Sequence, residues 1–73
     1  MFNKVDIMYA IEVKPGVFID ERSENLCFHH TKLMPRALYF SYESTAREVI
    51  KMLPIEDRLT AKVVRIKLEI SEC

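Results

Sequence analysis

The sequence predicts a two-layer α+β domain: a three- to four-stranded, mainly antiparallel sheet with one amphipathic helix packed on one face. Three observations carry this reading. Residues 5–13 and 60–70 alternate apolar and polar side chains, residues 42–53 repeat with helical period, and a Pro-Gly pair sits where the first strand must turn back. The element order is strand, strand, short strand, helix, strand, and all 73 residues are used in one domain.

In the first strand Val5, Ile7, Tyr9, Ile11 and Val13 share one face, with Asp6, Met8, Ala10 and Glu12 on the other. Lys14-Pro15-Gly16-Val17 closes a hairpin. Proline presets the second position of a type II turn, and glycine accepts the positive φ of the third. Val17–Asp20 returns as the second strand. Residues 21–36 show no clean period and read as a long loop, with Leu26-Cys27-Phe28 as a short strand within it. Ala37–Phe40 reads as another short strand.

Ser41 is placed to cap a helix over Tyr42–Leu53. Its stripe is Tyr42, Ala46, Val49, Ile50 and Leu53. Glu43 and Arg47 are spaced to pair one turn apart, and Pro54 stops the helix. Three turns are too short to persist alone in water, so the stripe must lie on the sheet. Ile55–Leu59 connects to the last strand, Thr60–Ile70. There Val64, Ile66, Leu68 and Ile70 share one face, and Val63, Arg65, Lys67 and Glu69 share the other. Glu12, Asp20, Arg65, Lys67 and Glu69 are expected together on the open, wet face of the sheet.

Composition removes several function classes. Hydrophobic residues make up 49% of the chain, with one Gly and three Pro, which excludes a disordered linker. Eleven basic residues balance eleven acidic ones, so bulk charge directs the chain toward neither nucleic acid nor acidic lipid. No apolar run approaches the ~20 residues of a membrane span, and the start lacks the pattern of a secretion signal. The expected location is the cytoplasm, where Cys27 and Cys73 stay free thiols.

No catalytic, metal or cofactor site is expected. Cys27-Phe28-His29-His30 lacks the second spaced pair that a structural zinc site needs. A single glycine leaves little material for an oxyanion loop or a phosphate-cradling loop. Asp20-Glu21 and Glu56-Asp57 are adjacent in turns rather than opposed across a cleft. What remains is a non-enzymatic binding module that modulates or inhibits another protein, with Phe28, Leu33, Met34, Arg65 and Lys67 as contact residues. The alternatives are a nucleic-acid-binding module using Lys62, Arg65 and Lys67 of the last strand, or a homodimer built by pairing an edge strand.

The arrangement Met8-Tyr9-Ala10-Ile11-Glu12-Val13-Lys14-Pro15-Gly16, then Ala37-Leu38-Tyr39-Phe40-Ser41, then Ala46-Arg47-Glu48-Val49-Ile50 and a closing Val63-Val64-Arg65-Ile66 resembles small uncharacterised proteins of bacteriophages and prophages. The resemblance is one of pattern and transfers no site residue. It implies expression inside a bacterial cell or an infected host cell, and action by binding a host or phage protein.

Overall fold

The structure is a computed structural model that describes residues 2–24 and 27–72, with side chains described for residues 7–24 and 27–67. Leu26 of the expected loop strand and the terminal Cys73 lie outside these residues, as do the side chains of Val5, Leu68, Glu69 and Ile70.

The elements are β1 (Phe2–Lys14), β2 (Val17–Ile19), β3 (His30–Thr31), a 3-10 turn (Met34–Arg36), α1 (Glu43–Ile50), α2 (Ile55–Arg58) and β4 (Lys62–Glu72). They form a four-stranded antiparallel sheet of order β3-β2-β1-β4 with α1 packed against it. This is the α+β class that the sequence predicts. The third strand lies at His30–Thr31, inside the stretch expected as a long loop, where it pairs with Phe18 and Ile19. Ala37–Phe40 joins the sheet only through single bridges, Asp20 to Ala37 and Tyr9 to Phe40.

Gly16 has φ +79°, as the turn requires, and its N–H donates to Glu12 Oε2 at 3.2 Å. The register shifts between Glu12 and Lys14. Such a bulge adds the twist that a type II turn does not itself supply to a hairpin. Nothing lies within 4 Å of a side chain added at Gly16, so a substitution there meets backbone strain alone. Gly16→Val is expected to cost about 1–3 kcal/mol in urea unfolding. An unchanged midpoint would contradict the turn.

Pairing of β1 with β4 corrects the expected division of faces. Ile11 lies opposite Val63, Tyr9 opposite Arg65 and Ile7 opposite Lys67, while Glu12, Ala10 and Met8 face Lys62, Val64 and Ile66. Opposed residues of an antiparallel pair share a face. Arg65 and Lys67 therefore lie on the helix side of the sheet, and the apolar set beginning Val64 and Ile66 lies on the other. Alternation within one strand shows two faces but not which of them meets which face of its neighbour.

Each face carries a cluster. On the helix side Ile11, Val13, Ile19, Ala46 and Leu53 are buried, with Tyr9, Phe28, Leu38, Phe40, Val49, Ile50 and Val63 packed around them. On the other side Ala10, Phe18 and Ala37 are buried beside Tyr39, Val64 and Ile66. Asp20, expected in solvent, is buried at 1% exposure.

Tyr42, not Ser41, occupies the cap position of α1, and no side chain caps it. The helix ends at Ile50, earlier than Pro54 requires. Two short-range bonds follow, Met52 N–H to Val49 O at 2.9 Å and Leu53 N–H to Ile50 O at 3.1 Å. They tighten the turn and carry Leu53 into the core at 1% exposure. The Glu43–Arg47 pair forms at 3.1 Å. The expected connection contains a further helical turn, α2, in which Arg58 N–H donates to Pro54 O at 2.9 Å.

Eight helical residues span about 12 Å, whereas the thirteen of β1 extend about 43 Å. The helix cannot cover the whole strand pair, and Ile7 is already 40% exposed. The β1–β4 ribbon runs on past it, which accounts for the 46 × 23 × 22 Å envelope.

Candidate protein-interaction surfaces

The long loop is organised around one carboxylate. Asp20 accepts the Arg22 backbone N–H at 2.8 Å and its Nε at 3.1 Å, and Arg36 Nε approaches to 3.8 Å. Its own N–H donates to His29 O at 2.8 Å, and its carbonyl accepts Ser23 N–H at 3.0 Å. Ser23 Oγ in turn accepts the His29 N–H at 2.7 Å. Asp20 thus ties the start, middle and end of residues 20–37 together. Short-range periodicity carries no trace of such a hub.

The Arg22 backbone N–H, then its guanidinium, hold the Asp20 carboxyl below its ordinary value near 3.8, against the opposing effect of burial. The folded chain favours the charged form. That stabilisation is fully present above the ordinary value near 3.8 and fades as pH falls through the lower folded value. Asp20→Asn is expected to lower the urea midpoint at pH 7, with the gap from the parent closing as pH drops below about 4. A gap that stays constant into acid would contradict the role of the charge.

On this frame Phe28 is half-buried and packs against the helix-side core. Leu33 and Met34 are exposed, at 59% and 39%, and Tyr39 Oη donates to Met34 O at 2.7 Å to pin their turn. Arg65 and Lys67 are exposed on β4. β3 and β4 are opposite edges of the sheet, so the five expected contact residues do not form one patch. Three strand spacings, ~14 Å, separate those edges. Lys62 is divided from Arg65 and Lys67 as well, since it lies on the other face and pairs with Glu12 at 3.3 Å.

Cys27 is an exposed free thiol, with its sulfur 4.0 Å from His29 Nε2. His30 turns elsewhere, its Nε2 lying 2.9 Å from Asp57 Oδ2, which fastens β3 to α2. Among the described residues no group of three or more His, Cys, Asp or Glu gathers as metal ligands, and no helix is long and apolar enough to cross a membrane.

One surface was missed in the sequence. Met52, Ile55 and Leu59 are exposed at 51%, 64% and 80%, between the turn after α1 and the end of α2. Leu59 N–H donates to Ile55 O at 3.1 Å, so both residues lie on one side of a single helical turn. The available signal was Pro54, a residue favoured at helix starts, followed by an apolar pair at i,i+4.

Comparisons with protein-family models, curated proteins and solved structures gave no match.

Proposed function

We propose that this chain is a small non-enzymatic binding module that modulates or inhibits another protein. One observation carries the reading. Among the described residues, seven large hydrophobic side chains are exposed, against eight buried apolar residues of which three are alanine. Exposed apolar side chains that cluster within a polar rim mark contact sites. Met52, Ile55 and Leu59 form one group close in sequence, with Lys51, Glu56 and Arg58 beside or between them. Leu33 and Met34 form the second. With the resemblance in pattern to small phage and prophage proteins goes the proposal that it acts in the cytoplasm of a bacterial or infected host cell.

The immobilised chain is expected to retain a discrete protein from bacterial lysate, and to show no salt-sensitive affinity for single- or double-stranded nucleic acid. Binding to nucleic acid that weakens steeply with salt would replace this reading with the basic residues of β4 as the contact.

A further inference from the structure

We infer that β4 is a self-pairing edge, joining a second copy of this chain antiparallel across a two-fold axis at Leu68. The backbone directions follow from one bridge. Tyr9 N–H donates to Phe40 O at 2.8 Å and Phe40 N–H donates to Tyr9 O at 2.7 Å, so both Tyr9 groups point away from β4. The opposed pair Tyr9–Arg65 is then a non-hydrogen-bonded one, and the Arg65 N–H and C=O point outward. Alternation gives Val63 and Lys67 the same direction, and Glu69 after them. Among the described residues the sheet ends at β4, and no strand lies beyond it.

Eleven residues make a long edge, and it contains no proline. Lysine and arginine on an edge ordinarily repel another strand. Here the charges are ordered: Lys62, Arg65 and Lys67 come first, then Glu69 and Glu72. A parallel copy would set like against like, whereas an antiparallel copy sets the basic half against the acidic half. With the axis at Leu68, Lys67 opposes Glu69 of the second copy twice, Ile66 opposes Ile70, and Arg65 opposes Ser71. Moving the axis to Ile66 opposes Arg65 with Lys67. Placing it at Arg65, Lys67 or Glu69 sets a charge against its own copy. The product is one continuous sheet through both copies, in which the outward backbone groups of β4 are paired.

Sedimentation of the full chain across a concentration series tests this, with circular dichroism to confirm folding. The parent is expected to reach a dimer at micromolar concentration. Lys67→Glu and Glu69→Lys, each alone, are expected to weaken dimerisation about tenfold or more, and the double swap to restore it. In a chain with Cys27→Ser and Cys73→Ser, Leu68→Cys is expected to form a disulfide-linked dimer. Its two copies would be a non-hydrogen-bonded pair with Cα atoms about 4.5 Å apart, within disulfide range. A parent that stays monomeric, single swaps that dimerise as the parent does, or a double swap that fails to restore pairing would each overturn the proposal.

Discussion

Ile11→Ala is expected to be the most damaging single truncation in this chain. Ile11 is fully buried in the central region of the sheet, between β2 and β4, and packs with Val13, Ile19, Ala46 and Leu53. Removing its outer carbons leaves a cavity bounded by β-sheet on one side and α1 on the other, where backbone cannot collapse freely. Such truncations cost about 2–5 kcal/mol. Ordinary stability per residue gives a chain of 73 residues only about 4–11 kcal/mol in total. The variant should therefore show a large fall in urea midpoint, or no cooperative transition at all. A midpoint close to the parent's would mean that the helix does not rest on this part of the sheet.

Leu53→Ala is expected to cost nearly as much, about 2–5 kcal/mol, and clearly more than Ile50→Ala. Both residues belong to the apolar stripe that the sequence shows. The helix stops at Ile50, though, and the tightened turn beyond it brings Leu53 to 1% exposure while Ile50 stays only half-buried. A continuous helix to Pro54 would present the two residues more evenly. Paired urea titrations of the two variants measure the difference, and equal losses would indicate that the helix runs unbroken to residue 53.

The hairpin, the helix and the last strand were legible because each rests on signals inside a few residues. Alternation marks β1 and β4, Pro15-Gly16 marks the turn, and the Ala46–Leu53 stripe marks the packed side of α1. What was not legible depends on partners distant in sequence. The faces of β1 and β4 were matched the wrong way because period two leaves their relative register open, and only the pairing of Tyr9 with Arg65 decides it. The burial of Asp20 follows from Arg22, His29 and Arg36 meeting it from along the loop. Of the contact residues expected, Leu33, Met34, Arg65 and Lys67 are exposed, while Phe28 packs on the core. Ile55 and Leu59 were passed over because a single helical turn gives too short a window for periodicity to register.

Binding through exposed apolar surface is tested most directly by measuring the affinity of the retained protein for surface variants of the intact chain. The pair Ile55→Ser with Leu59→Ser and the pair Leu33→Ser with Met34→Ser remove exposed side chains only, so circular dichroism and urea midpoints should stay near the parent's. Affinity is expected to fall about tenfold or more for at least one pair, with the Ile55–Leu59 pair the more sensitive. Parent-like affinity in both pairs would contradict binding through these apolar side chains.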